Sequence, residues 1–508
     1  MTGRNSAKSV AEIISQYGVI LPKGSYRLKT PAHCKTFKIF YSATEELLAY
    51  VKAHSNEDVD FAVKSARKAF HSGPWRKLLP EERAKILARV SDLIIQYCDE
   101  LAVLHTLETG IPIQQAKRMH IPRSAENFRF FGELMNSYSG ESYEQMGDFL
   151  SIVTREPIGV GLVISPWNAP LILTSMKMAA CLAIGNSVII KPSEYTPLSI
   201  LRLVELMHEA GVPDDVIHVL NGSGPTLGRE LVSHPDIDAI GFIGGTATGK
   251  KIMQAAADTL KKVGLELGGK SANIVLASAN LDRAVDGSLM AIFANNGEQC
   301  LAGSRIIVED SIADQFIEKF VSRARSLKIG DPFDPETEIG PLAFKGHFNR
   351  VLDFAQIGMT SSDYSLLAGG KRADGFERGF FFEPTVLETK TNDCDLCQNE
   401  VFGPFVTIQR VKNLEEALDV ANNSVFGLVG YIWSDDFPSI MKARRELRTG
   451  TVWVNTFMKR DLRAPFGGYK QSGIGRDGIP GSIELFTEEK TTMLPQVESK
   501  FPKLGVSS

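Results

Sequence analysis

At 508 residues the chain far exceeds what one ordinary hydrophobic core needs, so two or more domains are expected. Its 43% hydrophobic and 23% charged residues are those of a soluble globular protein and exclude a fibrous or disordered one. A net charge of −4 and the lack of any long basic run exclude nucleic acid as a partner and leave small molecules as the expected ligands.

The opening Met-Thr-Gly-Arg-Asn-Ser has no apolar core of the signal-peptide kind, and the first sustained pattern, over 10–17, is short and amphipathic. Six cysteines are too few for a disulfide scaffold at this length, so a reducing, cytoplasmic setting is expected. Residues 37–51 read as extended. Ser55-Asn56-Glu57-Asp58 then reads as a capping box opening a helix, with Val59, Ala62, Val63, Ala66 and Phe70 at helical spacing. Residues 81–109 continue as helix, and 110–137 follow helically with an interruption expected at Ile121-Pro122-Arg123. Residues 140–156 alternate in short patches that suit a strand or hairpin arm.

From Gly159 the texture changes to alternation: strands at 160–164, 187–190, 216–219 and 239–242, with helices at 171–182 and 197–210. Such alternation means parallel strands with crossover helices, and hence a doubly wound nucleotide-binding domain. The uncharged run 157–176 approaches the length of a membrane span. Its prolines and glycines make it a buried strand followed by a functional loop instead, and no membrane partner is expected. A second α/β series begins at Gly268, with strands at 272–276, 304–308, 385–387, 407–409 and 451–454, and helices at 281–293, 313–327 and 414–422. The tail from Pro495 is expected to fray.

Chemistry concentrates in Asn295-Asn296-Gly297-Glu298-Gln299-Cys300-Leu301-Ala302-Gly303-Ser304, a polar segment that follows an apolar helical run and carries one thiol. A lone cysteine is more often a small buried hydrophobe than a nucleophile. Glu266-Leu267-Gly268-Gly269-Lys270 alters that balance by placing a candidate base upstream of a candidate nucleophile. Glu266-Leu267-Gly268-Gly269-Lys270-Ser271 and Gly297-Glu298-Gln299-Cys300 resemble the two signature segments of the aldehyde dehydrogenase superfamily. The resemblance continues through Ser165-Pro166-Trp167-Asn168-Ala169-Pro170, Lys191-Pro192-Ser193-Glu194, Glu400-Val401-Phe402-Gly403-Pro404 and Pro465-Phe466-Gly467-Gly468-Tyr469-Lys470, and so covers nearly the whole chain.

The resemblance implies two doubly wound α/β domains, NAD-binding and catalytic, plus a β oligomerisation arm. The NAD-binding domain would comprise 1–138 and 160–267, the catalytic domain 268–478, and the arm 139–159 with 479–497, in a homodimer or homotetramer. It implies Cys300 as nucleophile, Glu266 as the general base that activates water, and the Asn168 amide with the Cys300 N–H as oxyanion donors. No metal is expected.

Gly244-Gly245-Thr246-Ala247-Thr248-Gly249-Lys250-Lys251 nearly spells a phosphate loop, but Lys251 stands where a magnesium-binding hydroxyl is required, and G-x-G-x-x-G is lacking. The family places this loop and helix at the cofactor pyrophosphate, with a serine where Gly245 stands here. Lys191 and Glu194 would bond the adenosine ribose, which favours NAD over NADP, since an acid repels a 2′-phosphate. Ile164, Ser165, Trp167, Ser193, Gly224, Gly228, Phe242 and Leu267 complete the implied cofactor set, with Glu400 and Phe402 orienting the nicotinamide ribose and ring. Arg476-Asp477 stands where many relatives have Arg-Glu in a proton relay. Cys394-Asp395-Leu396-Cys397 lacks the further ligands zinc needs and reads as a pair of surface or half-buried thiols.

Arg460-Asp461-Leu462-Arg463-Ala464-Pro465-Phe466 and Ile121-Pro122-Arg123-Ser124 resemble the hydroxymuconic and aminomuconic semialdehyde dehydrogenases. That implies a carboxylated semialdehyde substrate held by Arg123, Arg460 and Arg463, with Ala169 and Phe466 lining the pocket. The opposing reading pairs these arginines with Asp461 or Glu126 on the surface. A broad-specificity aliphatic or aromatic aldehyde dehydrogenase and a catalytically retired structural homologue are the alternatives. An acylating relative would lack Glu266, and a phosphate-loop kinase is undermined by Lys251.

Overall fold

The computed structural model describes residues 7–27, 34–499 and 501–505. The capping box forms as expected: Ser55 Oγ accepts from Asp58 N, and Asp58 Oδ2 accepts from Ser55 N at 2.8 Å. It starts the helix Asn56–Ser72, which buries Val59, Ala62, Val63, Ala66 and Phe70. The helical stretch after it divides at Tyr97 into Pro80–Gln96 and Cys98–Thr109, and ends at Gly110, whose φ of 78° suits a glycine. Pro122 does not interrupt. It occupies the first turn of the helix Ile121–Met135, where a missing N–H costs nothing, and the irregularity lies one turn earlier, in the π-helical Ala116–His120.

A six-stranded sheet runs Gly473–Ile474, Lys262–Glu266, Ala239–Ile243, Val160–Ile164, Ser187–Lys191, Ile217–Val219. All its pairings are parallel except the first, in which Leu265 faces Ile474 and Glu266 faces Gly473. The second, seven-stranded sheet runs Tyr364–Ala368, Thr385–Thr389, Phe405–Val411, Arg305–Glu309, Ala272–Val275, Val429–Trp433, Thr451–Val454. Val429–Trp433 and the helix Lys345–Thr360 are elements that the sequence reading passed over. The strand is apolar and buried throughout, so it shows no alternation.

A three-stranded sheet joins Glu141–Tyr143, Phe149–Pro157 and Thr487–Pro495. The segment 479–497, expected wholly in the arm, divides. Ile479–Phe486 is a helix whose Ile483, Leu485 and Phe486 enter the core around the first sheet, and only the strand after it joins the arm. Its apolar face is what draws it inward. Likewise Gly473–Ile474, expected with the second unit, completes the edge of the first sheet. The expected fraying falls partly on residues 500 and 506–508, outside those described; strand pairing reaches Pro495. Among the described residues, no helix is long and apolar enough to cross a membrane.

Candidate active site

Glu266 closes the strand Lys262–Glu266 at its carboxyl end, the end at which open α/β sheets place their ligands. The Gly268-Gly269 turn that follows is demanded by close approach. A Cβ on Gly268 would strike the Glu400 carboxylate, and one on Gly269 would lie 2.5 Å from the Cys300 carbonyl oxygen. Glycine thus lets the strand bearing the acid pass directly under the loop bearing the thiol.

The helix Leu281–Phe293 ends before that loop, and Asn295 and Asn296 both take left-handed backbone, φ 57° and 56°. Asparagine tolerates this conformation better than other residues with a Cβ. The turn lets Asn295 Nδ2 donate to the carbonyls of Asn168 at 3.2 Å and Glu298 at 2.9 Å, while Asn168 Nδ2 donates to the same Glu298 carbonyl at 2.8 Å. One N–H of the Asn168 amide is thereby used to fix the side chain, and the other is left to donate.

Cys300 is partly exposed, with its thiol pushed up to about 12 by burial, then by the negative charge of Glu400 and Glu266. Its own backbone N–H, turned toward the sulfur, and Arg460 pull the other way. Glu266 is buried with Oε2 unpartnered, and burial, then Asp477, raises its carboxyl well above the usual range. Lys177, Arg460 and Arg476 oppose that rise. A carboxyl shifted in that direction is a stronger base than an exposed glutamate.

Below it, Lys177 Nζ meets Asp477 Oδ1 at 2.8 Å, both side chains buried. Lys177 was missed in the sequence. It is the single charge of the helix Pro170–Ile184, and a lone lysine there is signal enough, because lysine is almost never buried unpaired. Asn295 was named in the loop but given no role, though two consecutive asparagines after a helix mark left-handed backbone.

The arginines separate. Arg460 stacks 4.1 Å over the Phe466 ring, its Nη2 4.0 Å from Asp477 Oδ2, with Nε and Nη2 buried and lacking hydrogen-bond partners. Arg123 gives Nη1 to Glu126 at 2.8 Å, yet its Nη2 is buried and unpartnered. Arg463 does not join them. It is exposed and closed on Asp461 through Nε and Nη2, because a neighbour two residues away satisfies it locally. Ala169 is buried at the start of the helix Pro170–Ile184.

On the other flank, Lys191 is buried at the end of its strand, donating to the Pro192 carbonyl at 3.0 Å, with Glu194 at 3.6 Å. Ile164, Ser165, Ser193, Phe242, Leu267 and Gly228 are buried nearby along the same sheet end, whereas Gly224 is exposed. Gly245 opens the helix Thr246–Ala256 without a side-chain cap and with nothing within 4 Å of where a Cβ would stand. Glu400 Oε1 accepts from Gly269 N at 2.8 Å, and burial lifts its carboxyl to about 7. Phe402 meets Trp167 edge-on, centroids 5.3 Å apart. Cys394 and Cys397 are buried rather than superficial, bonded to the Thr391 carbonyl and the Thr407 hydroxyl.

A thiol, a buried carboxyl and a free amide donor thus converge at the end of a parallel sheet. The chain also matches the sequence model of the aldehyde dehydrogenase family over residues 29–492. It belongs to that family. Membership makes it an oxidoreductase. It is 42% identical to betaine aldehyde dehydrogenase of Bacillus subtilis over 449 residues, 88% of this chain and 91% of that protein. PnpE from Pseudomonas sp. WBC-3 is 40% identical with a TM-score of 0.91, covering 95% of this chain and all of that one, and it has also been solved with nicotinamide adenine dinucleotide. Betaine aldehyde dehydrogenase from Staphylococcus aureus, solved with NAD+, is 34% identical with a TM-score of 0.92, covering 97% and 99%. These two solved structures therefore share this chain's architecture over 95% and 97% of its length.

Proposed function

We propose that the chain oxidises a carboxylated semialdehyde to the corresponding acid, with NAD as hydride acceptor and Cys300 as nucleophile. The observation that carries the substrate class is Arg460: a guanidinium with two buried, unpartnered nitrogens over Phe466, whose charge reaches both Cys300 and Glu266. A buried donor left unsatisfied in the protein is satisfied by a ligand's acceptor, and a carboxylate matches the guanidinium fork. Arg123, with its own buried Nη2, is the second anchor. Two guanidiniums disfavour a quaternary ammonium aldehyde, so the activity in the names of the betaine aldehyde dehydrogenases does not carry over.

The chemistry follows from the site. Glu266, once deprotonated, takes the thiol proton, and the Cys300 sulfur adds to the carbonyl carbon. The oxyanion accepts from the remaining Asn168 N–H and the Cys300 N–H; donors of this kind are worth about 3 to 4 kcal/mol in the transition state. NAD, when bound, supplies the acceptor for the hydride that leaves as the thiohemiacetal collapses to a thioester. Glu266 gives the thiol proton up to solvent and then takes one from water, whose oxygen attacks the thioester; the departing sulfur takes that proton back as the Cys300 thiol, and the released acid ionises. Aldehyde, NAD+ and water become carboxylate, NADH and two protons.

The fit to NAD rests on the uncapped, unobstructed helix start at Gly245, whose N–H groups suit a pyrophosphate. Lys191 and Glu194 would take the adenosine ribose, with Glu194 disfavouring a 2′-phosphate, and Glu400 and Phe402 the nicotinamide half. Exposed Tyr143, Met493 and Leu494 on the three-stranded arm support assembly as a homodimer or homotetramer.

The test is Arg460→Ala assayed on a carboxylated semialdehyde and on a neutral aldehyde of equal size. Losing one charge-assisted contact of about 2 to 3 kcal/mol raises KM roughly 30- to 150-fold for the acid alone. Arg463→Ala, on the surface, is expected to change neither. An unchanged KM in Arg460→Ala would remove the anchor and leave a broad-specificity enzyme.

A further inference from the structure

Phe402 has φ 65°, left-handed backbone in a bulky residue. Such a residue costs on the order of 1 to 3 kcal/mol and persists only where its surroundings over-determine it. Those surroundings come from the helix Lys345–Thr360. His347 Nε2 lies 2.7 Å from the Phe402 carbonyl oxygen, and Arg350, one turn on, donates Nη2 to the Glu400 carbonyl at 2.7 Å. Carbonyls on both sides of Val401 are thus gripped by one helix face. A carbonyl only accepts, so Nε2 carries the imidazole hydrogen.

The same ring touches the rest of the site. It packs 4.9 Å from Trp167 and 6.1 Å from the Phe402 ring, and its Nε2 is 3.6 Å from Glu298 Oε1. Glu298 belongs to the nucleophile loop; its Oε1 accepts from Ala343 N at 2.9 Å, and its carbonyl accepts from the oxyanion donor Asn168. His347 is buried, and burial holds its imidazole down to about 4 while raising the Glu298 carboxyl. Arg350, by contrast, is exposed and reaches only the cofactor-side loop. His347 is therefore the side chain on this helix that touches both loops.

We propose that His347 is a positioning residue for hydride transfer, which fixes Phe402 in its left-handed backbone and so sets the nicotinamide-facing loop against the Cys300 loop. The proposal rests on the reading of Glu400 and Phe402 as the residues that orient the nicotinamide half of the cofactor. Misplacing a reacting partner by about 1 Å costs on the order of 100-fold, so a loosened loop slows hydride transfer more than it weakens substrate binding.

The experiment measures NADH formation in a single turnover, and KM for NAD and for the aldehyde, in His347→Leu, His347→Gln, Phe402→Ala and the double variant His347→Leu/Phe402→Ala. His347→Leu is expected to slow hydride transfer on the order of 10- to 100-fold with the aldehyde KM unchanged. His347→Gln, whose amide nitrogen reaches the place of Nε2, recovers most of the rate. The double variant is no slower than Phe402→Ala, because the histidine acts through that residue. If His347→Leu does not fold, His347→Asn, too short to reach the carbonyl, gives the same reading. Hydride transfer at the parent rate in the Leu or Asn variant, or additive losses in the double variant, overturns the proposal. If Phe402→Ala itself changes neither hydride transfer nor KM for NAD, the cofactor reading has failed, independently of His347.

Discussion

Burial raises both the Cys300 thiol and the Glu266 carboxyl and so favours the proton-bearing form of each. A thiol raised to about 12 leaves the free enzyme with little thiolate at neutral pH, and its fraction grows with every rise in pH. Inactivation by iodoacetamide, followed through loss of activity, is therefore expected to quicken about 10-fold per pH unit with no plateau below about pH 9. A plateau near neutrality would show a thiolate already formed. Glu266→Gln separates the two duties of the base. If hydride transfer can proceed with another proton acceptor while hydrolysis cannot, rapid mixing shows one burst of NADH per site followed by a stalled thioester. Loss of the burst would mean that thiol deprotonation also depends on Glu266. These residues were legible in the sequence because two short motifs carry them.

The helix Pro170–Ile184, the strand Lys262–Glu266 and the segment around Gly473–Ile474 lock together beneath the base. The sequence showed the helix and placed its ends within two residues, but not that Lys177 crosses to Asp477. Removing one partner of a buried pair leaves the other charge unsatisfied, at a cost of about 3 to 5 kcal/mol. Lys177→Met is expected to lower the unfolding free energy by that amount in urea titrations. Lys177→Met/Asp477→Leu is expected to recover most of it, since apolar groups of similar volume replace both charges. A double variant no more stable than the single would show that the pair itself, rather than the orphaned carboxylate, supplies the stability.

Across the whole molecule, burial keeps several imidazoles neutral. His105 Nε2 and His120 Nδ1 meet at 2.9 Å, and burial lowers both, His120 to about 4; His347 lies at about 4 for the same reason. Above pH 6.5 neither the folded nor the unfolded chain protonates these rings, and their contribution to stability is intact. As pH falls from 6.5 toward 4 the unfolded chain takes up protons first. The fold then loses about 3 kcal/mol for each of His120 and His347. Urea midpoints are expected to fall steeply across that window, and less so in His120→Gln. A flat profile between pH 6.5 and 4 would mean that the rings find water or partners in the folded protein.

By itself the sequence determined what neighbouring residues decide among themselves: the capping box at Ser55, the strand Val160–Ile164, the helices Leu281–Phe293 and Leu414–Asn422, and the motifs around Glu266 and Cys300. Apolar periodicity, caps and close-packed glycines act over a few residues, so they can be read without a fold. Only the tertiary structure decided that Arg460 is half-buried over Phe466 while Arg463, on the same loop, is closed on Asp461 in solvent. It alone brought Lys177 to Asp477 across 300 positions and His347 to Phe402 across 55. The environment of a polar side chain is set by whichever distant segment covers it, and local spacing does not encode which segment that is.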